Sequence, residues 1–329
     1  MAFDVFGMCN ALFDIQAEVN DHTLAHLGVD KGSMLLIDEE QQRAMVAAVY
    51  EDLVNTEPGG SGCNTLIGLA QLGGTACYTS RVGTDEHGKM YAAKLADLGV
   101  KPNLGLADGV TGICLVLVTP DAQRTLCTFL GLSRDLRKED VVAEDIKASK
   151  YIYVTGYLWD TENQKEAVLH AMKVANENGV KVSLSLSDPF CVNRHKADFQ
   201  RILNDHVDVV FGNKDEAMAI TDTNTPLEAI ASLSKFCDVA VVTMDDQGSL
   251  IQQGDTLYTI PSYPVKAVDT TGAGDMYAAG LLYGLTQNLP LNITGRIASW
   301  CAAQVVAKLG PRLDTIDRVS IDRIIRGEM

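Results

Sequence analysis

The stretch Val268-Asp269-Thr270-Thr271-Gly272-Ala273-Gly274-Asp275-Met276-Tyr277-Ala278-Ala279-Gly280 joins a small, glycine-rich turn directly to an apolar helix. Gly272, Ala273 and Gly274 carry almost no side chain, so backbone N–H groups can converge there, and the helix N-terminus adds a positive partial charge. Together these make an anion site, most often one for phosphate. Asp275 stands at the helix entrance. A carboxylate beside a phosphate cradle is repelled unless it does chemistry, and taking the proton from a hydroxyl that attacks phosphorus is such chemistry. The plainer alternative is an Asp cap on an ordinary helix.

Outward from this turn, strand-like and helix-like segments alternate. Apolar runs at Phe3–Cys9, Ala76–Ser80, Tyr151–Thr155, Val180–Leu186, Val207–Phe211 and Val239–Thr243 predict strands. Helical periodicity covers Glu39–Val54, Asn64–Leu72, Glu86–Leu98, Glu162–Glu177, Asp215–Ala219 and Leu227–Phe236, and returns at Ala273–Leu285, Thr294–Leu309 and Arg318–Ile325. This alternation predicts an α/β fold with a mostly parallel sheet covered on both faces. Asp14–Val19, Ser33–Ile37 and Ile113–Thr128 read instead as β without helices between, the last as a hairpin turning at Thr119-Pro120-Asp121-Ala122. The expectation is one domain over residues 1–329, with a small β-sheet lid from segments about 14–37 and 104–130.

Composition narrows the function. The 329 residues are 47% hydrophobic with 28 glycines, which suits a globular α/β protein. A net charge of −16 argues against nucleic acid or an anionic membrane surface as partner. Eight scattered cysteines form no CxxC pair, several lie within apolar runs, and the N-terminal segment has no basic and apolar leader pattern. A reducing cytoplasm is the expected compartment. Monomer and homodimer are both compatible with a lid.

Several lookalikes fail on their chemistry. Gly83-Thr84-Asp85-Glu86-His87-Gly88-Lys89-Met90 has P-loop spacing, but Met90 replaces the metal-binding hydroxyl and the two acids would repel phosphates. Gly60-Ser61-Gly62 begins like a dinucleotide fingerprint, yet Thr65 stands at the third glycine position. His22 and His26 have i, i+4 spacing without a third ligand and read as a solvated helix face.

Other sites keep two readings. Gly59-Gly60-Ser61-Gly62-Cys63-Asn64 brings backbone close to a ligand or simply starts a helix with Asn64 as its cap or in its first turn. Asn10 and Asp14 flank the end of the first strand, where open α/β sheets bind ligands, although each alone is ordinary turn chemistry. Asn213 and Glu216 follow another strand end and either hold a metal-bound water or phosphate oxygen or cap the next helix.

Taken together, these segments resemble the ribokinase (pfkB) family of carbohydrate and nucleoside kinases. The resemblance rests on Gly59-Gly60-Ser61 through Asn64 to Leu72-Gly73-Gly74, and on Asp269 to Asp275. Between them, Val82-Gly83-Thr84-Asp85 with Gly88, Asn213 with Glu216, and Val242-Thr243 with Gly248 fall in the expected order. The adenosine-kinase-like branch fits best, through Gly7-Met8-Cys9-Asn10-Ala11-Leu12-Phe13-Asp14-Ile15, Thr111-Gly112-Ile113-Cys114, Thr155-Gly156-Tyr157-Leu158 and Leu184-Ser185-Leu186-Ser187-Asp188-Pro189-Phe190. One departure is Asp245, where the family usually has glycine.

The resemblance implies a ribokinase-like three-layer α/β/α sandwich with a β lid, acting as an ATP-dependent kinase on a primary hydroxyl of a nucleoside or sugar. Asp14, Gly60, Ser61 and Asn64 would meet sugar hydroxyls, with Asn10 lining that pocket. Leu12, Leu126 and Tyr157 would flank a base or other aglycone, and Arg124 would reach the transferred phosphate. Asn213, Thr243, Gly248, Gly272 and Gly274 would line the nucleotide. Glu216 and Asn213 would hold Mg2+ mainly through water, and a monovalent cation, K+, would sit near Asp269 and Thr271. Asp275 would be the base, with Gly272, Ala273 and Gly274 supplying backbone N–H groups. The implied acceptor is adenosine or a related nucleoside, with a free sugar such as ribose or fructose next. A non-catalytic binding relative and a dinucleotide-dependent oxidoreductase are the competing classes. The first conflicts with the intact Asp275 turn, the second with the incomplete fingerprint.

Overall fold

The computed structural model describes residues 3–121 and 123–329; Ala122 of the expected hairpin turn lies outside the described residues. In chain order the strands are β1 (Phe3–Met8), β2 (Leu12–Glu18), β3 (Met34–Leu36), β4 (Leu53–Gly59), β5 (Ala76–Gly83), β6 (Val100–Ala107) and β7 (Gly112–Val118). They continue with β8 (Arg124–Phe129), β9 (Ser149–Thr155), β10 (Lys181–Ser185), β11 (Val209–Asn213), β12 (Val239–Thr243), β13 (Ser249–Gln253) and β14 (Thr256–Ile260). The helices are α1 (Asp21–Leu27), α2 (Glu39–Ala48), α3 (Ser61–Gln71), α4 (Glu86–Asp97), α5 (Ala143–Lys147) and α6 (Glu162–Glu177). After them come α7 (Pro189–Asp205), α8 (Lys214–Thr221), α9 (Pro226–Leu233), α10 (Ala273–Thr286), α11 (Leu291–Val306) and α12 (Arg318–Ile325).

Nine strands form the large sheet in the order β14-β13-β12-β11-β10-β9-β1-β5-β6. It is parallel from β6 to β12, and an antiparallel pair, β13 and β14, closes one edge. Along β1 and β9 the pleat sends Val5 and Tyr153 to one core, with α3, α10 and α11, and Phe6, Met8, Ile152 and Val154 to the other, with α6 and α7. Both faces are therefore covered, as the near-continuous apolar strands require. The α/β expectation holds, and the layers are those of a ribokinase-like sandwich.

A second sheet runs β3-β8-β7-β2-β4. Its outer face buries Phe13, Ile15, Leu115 and Leu117. Its inner face carries Cys114, Val116 and Val118, packed with Leu12 and Leu126. The expected appendage segments, about 14–37 and 104–130, supply four of these strands. β4 supplies the fifth, and Leu104–Ala107 belong to β6 in the large sheet. β4 escapes the sequence reading because residues 39–54 continue a helical period that ends in fact at Ala48, and because Pro58 discourages a strand. Pro58 is tolerated because β4 is an edge strand. Helices α1 and α2 also separate the first β segments, so His22 and His26 fall on the exposed side of α1, as a solvated face should.

Helix α7 was not expected, because the polar run Asn193-Arg194-His195-Lys196 hides its apolar stripe of Cys191, Val192, Phe199, Ile202 and Leu203. All eight cysteines are free, and only Cys237 is not fully buried. Among the described residues no helix is long and apolar enough to cross a membrane.

Helices α10 and α11 touch at Gly280, where an added Cβ would overlap the Ala298 backbone. Gly280→Val should therefore force the helices apart and lower unfolding free energy by about 1–3 kcal/mol, read as a reduced urea midpoint.

Candidate active site

Two side chains of the small sheet reach the start of α10: Arg124 meets Asp269, and Asp14 feels the charge of Asp275. Gly272 caps α10 with φ +76°, and a side chain there would overlap the Pro311 backbone. Glycine is thus required both by the left-handed conformation and by the close approach. Nothing lies within van der Waals distance of a Cβ built on Gly274, so the turn faces open space. Ala273 spends its N–H on the Thr270 carbonyl at 3.2 Å. Among the described residues the N–H groups of Gly272, Gly274 and Asp275 have no acceptor, so of the expected Gly272, Ala273 and Gly274 set only the Ala273 N–H is already taken.

Asp275 sits on the first turn of α10 and is held by α3. Ser61 Oγ donates to Oδ1 at 2.6 Å and Asn64 Nδ2 donates to Oδ2 at 3.0 Å. The side chains can reach because Gly60, at φ +90°, lets the chain turn from β4 into α3 against the Asn10 carbonyl. Burial raises the Asp275 pKa, while Ser61, Asn64 and Arg312 oppose the rise. The plain helix-cap alternative does not describe it: Asp275 lies inside the helix and bonds no backbone N–H of its own turn.

Asp14 lies on β2, opposite Glu57 of β4 and beside Cys114 of β7. Among the described residues it has no hydrogen-bond or ion-pair partner, and burial pushes its carboxyl up to about 7 against the pull of Arg312. Gly59 leaves room for that carboxylate, which a Cβ would overlap. Asn10 is buried at the end of β1, with Oδ1 accepting from Gln164 Nε2 at 2.7 Å and its own amide N–H groups free. Leu12 and Leu126 join the apolar inner face of the small sheet. Tyr157, just beyond β9, donates its hydroxyl to the Ser187 carbonyl at 3.2 Å.

Arg124 and Asp269, expected to serve a phosphate and a monovalent cation, meet each other. Arg124 Nε is 3.0 Å from Asp269 Oδ2, with side-chain exposures of only 7% and 4%. The Asp269 carboxylate also accepts from Thr271 N and Gly310 N, both at 2.9 Å. Arg124 Nη2 is buried without an acceptor.

Asn213 and Glu216 form a reciprocal capping box on α8. Asn213 N and Nδ2 donate to the two Glu216 oxygens at 3.0 and 2.6 Å, so the helix-cap alternative is realised. Burial raises the Glu216 carboxyl to about 7. Thr243 pairs with Asn213 across β11 and β12. Gly248 takes φ +90° beside the Ile260 carbonyl, and Asp245 takes φ +53° with its carboxylate 2.7 Å from Lys214 Nζ. The left-handed backbone explains why glycine suits position 245 and why Asp is tolerated there. In the rejected P-loop lookalike, Asp85 caps α4 and accepts from Gly88 N, a structural turn.

Sequence reading missed Arg312, Glu57 and Gln164. No local signal marks them, since each acts only through contacts with segments far away in the chain.

The family model for pfkB family carbohydrate kinases matches residues 32–318. The chain belongs to this family. Adenosine kinase of Saccharomyces cerevisiae is 28% identical over 324 residues, covering 92% of this chain and 94% of that protein. Fructokinase-1 of Oryza sativa subsp. japonica is 30% identical over 274 residues, covering 80% and 84%. Among solved structures, adenosine kinase from Sinorhizobium meliloti matches with a TM-score of 0.88 at 33% identity, over 98% of this chain and 99% of that one. A probable sugar kinase from Rhizobium etli gives 0.89 at 34%, over 100% of both. As a pfkB family kinase, the protein is a phosphotransferase with an alcohol group as acceptor.

The Glu216 shift fixes a pH dependence. A carboxyl raised from 4.5 to about 7 stabilises the fold below its ordinary pKa, and that stabilisation is lost as pH rises through about 7. Glu216→Gln keeps the bond from Asn213 N, gives up the one from Asn213 Nδ2 and removes the buried charge. It should flatten thermal stability between pH 4.5 and 7 and raise Tm by about a few degrees at pH 8. Calorimetry across that range checks it.

Proposed function

We propose that this pfkB kinase transfers the γ-phosphoryl group of ATP in line to the primary hydroxyl of an adenosine-like nucleoside, with Asp275 as general base. The observation that carries the reading is the Asp275 carboxylate held by Ser61 and Asn64 beside the unpaired N–H groups of Gly272, Gly274 and Asp275. Asp14, Gly60 and Asn64 bind the sugar hydroxyls, Asn10 lines their pocket, and the primary hydroxyl points at Asp275. As oxygen attacks phosphorus its proton passes to Asp275, and the turn N–H groups take up charge on the transferring group. Arg124, with a buried donor still unpaired, reaches a phosphate oxygen. Thr243 and Gly248 line the nucleotide. Closure of the small sheet as a lid excludes water and suppresses ATP hydrolysis.

A nucleoside is favoured over a free sugar by the apolar inner face of Leu12, Cys114, Val116, Val118 and Leu126, which suits a base and has no use for a sugar alone. The fructokinase likeness supports the free-sugar reading as second.

The residues fit Mg2+ only in part. Among the described residues no cluster of three or more His, Cys, Asp or Glu side chains could hold a metal. Asn213 and Glu216 would hold the ion through water, and it would neutralise phosphate charge. For K+, the Asp269 carboxylate is already taken, whereas the carbonyls of Asp269 and Thr271 accept no hydrogen bond among the described residues and would be the fitting ligands.

Asp275→Asn should lower kcat by at least ~10^2 while ATP still binds, the scale of a lost positioned base. Near-wild-type turnover contradicts the assignment. Coupled ADP-release assays on nucleosides and free sugars, with and without K+, should show turnover of adenosine-like nucleosides; turnover of free sugars alone overturns the nucleoside reading.

A further inference from the structure

Between α11 and α12 the chain passes against the site and fastens there repeatedly. Gly310 N donates to Asp269, the Pro311 backbone fills the space beside Gly272, and the Leu313 carbonyl accepts from Gln71 Nε2 at 2.7 Å. In the middle of this strap is Arg312, 8% exposed. Its guanidinium donates to Asn64 Oδ1 at 3.0 Å, to the Pro58 carbonyl, and to the Glu57 carboxylate. It therefore joins the small sheet, through β4, to the first turn of α3.

We propose that Arg312 is a positioning residue for phosphoryl transfer, acting on the base through the Asn64 amide. The inference rests on Asp275 being that base. Arginine offers only donors and keeps its charge. With Arg312 on one side, Asn64 must present its oxygen to the guanidinium and its N–H to Asp275. The flipped amide would set donor against donor on one side and oxygen against carboxylate on the other. Arg312 thus fixes which end of Asn64 meets Asp275, and through it the direction in which Asp275 faces an incoming hydroxyl.

Its charge acts in the same sense. Asp275 is faced by Arg312 from the strap, Asp14 from β2, Cys9 after β1, Tyr153 on β9 and Tyr157 beyond it. Burial raises Cys9 to about 11 and both tyrosines upward, so these stay neutral. Asp14 opposes ionisation of Asp275, and Arg312 is the cation that favours it. Without Arg312, Asp275 would hold its proton to higher pH.

The test compares wild type with Arg312→Met, Arg312→Lys, Asn64→Leu and the Arg312→Met/Asn64→Leu double variant, in kcat from pH 5 to 9 with a nucleoside acceptor. Arg312→Met should lower kcat by about 10–100-fold and move the acid limb up by about one pH unit. Arg312→Lys should restore the limb but not the full rate, because a point charge cannot reproduce the fork. The double variant should be little worse than Asn64→Leu alone, since the two act in series. If Arg312→Met destabilises the chain by leaving Glu57 unpaired, Glu57→Gln/Arg312→Met removes the orphan charge and should show the same displaced limb. An unmoved limb in either folded variant, or fully additive losses in the double variant, overturns the proposal. Carboxyl 13C titration of Asp275, assigned by its loss in Asp275→Asn, reads the same displacement without turnover. The base reading fails separately, if Asp275→Asn itself retains turnover.

Discussion

A carboxylate drawn out of water and held by groups far away in sequence governs the site. Asp275 receives hydrogen bonds from Ser61 and Asn64, more than 200 residues earlier in the chain. A buried anion with an unfilled oxygen is costly, so both donors are needed to keep it ionisable. Their placement dictates much of the rest. α3 must begin at Ser61, Gly60 must adopt a left-handed turn to let it begin there, and α10 must pack beside α3 with its N-terminus at the same level. The parallel sheet supplies that level, since successive strands end on one edge.

Two buried arginines tie the small sheet to this arrangement. Arg124 leaves β8 to meet Asp269 at the start of the anion turn, and Arg312 leaves the strap to meet Glu57 and Pro58 on β4. Each pairs with an acid and so avoids an isolated buried charge. The strap also presses Pro311 against Gly272, so the shape of the turn and the seating of the small sheet share one segment. A ligand entering the cleft meets a site whose charges are largely balanced before it arrives. Among the groups it leaves unpaired are the carboxyl of Asp14 and the spare donor of Arg124, one suited to hydroxyls and one to phosphate.

Much of this was legible in the residues. The turn at 269–275 announced an anion site with a carboxylate beside it, and β9 and β12 declared themselves by apolar runs. α6 and α12 matched their periodicity residue for residue. Boundaries were lost where two patterns overlapped: Val49–Val54 continue the period of α2 but carry the chain into β4. The antiparallel pair β13 and β14, with polar residues alternating at an edge, lacks the apolar run that marks the parallel strands. Pairwise partners were not legible. Arg124 and Asp269 each fitted a separate ligand, and nothing near Arg312 distinguishes it from a surface arginine after Gly310-Pro311. Such contacts arise only when segments with no common sequence pattern are brought side by side.

The role of Asp275 can be tested at phosphorus itself. A carboxylate in this position either takes a proton while phosphoryl passes directly to the acceptor, or attacks and becomes phosphorylated first. Transfer from ATP made chiral at the γ-phosphorus, to a nucleoside acceptor, distinguishes the two by the configuration of the product. Direct in-line transfer with Asp275 as proton acceptor gives inversion. Retention, the mark of two successive displacements, would contradict it.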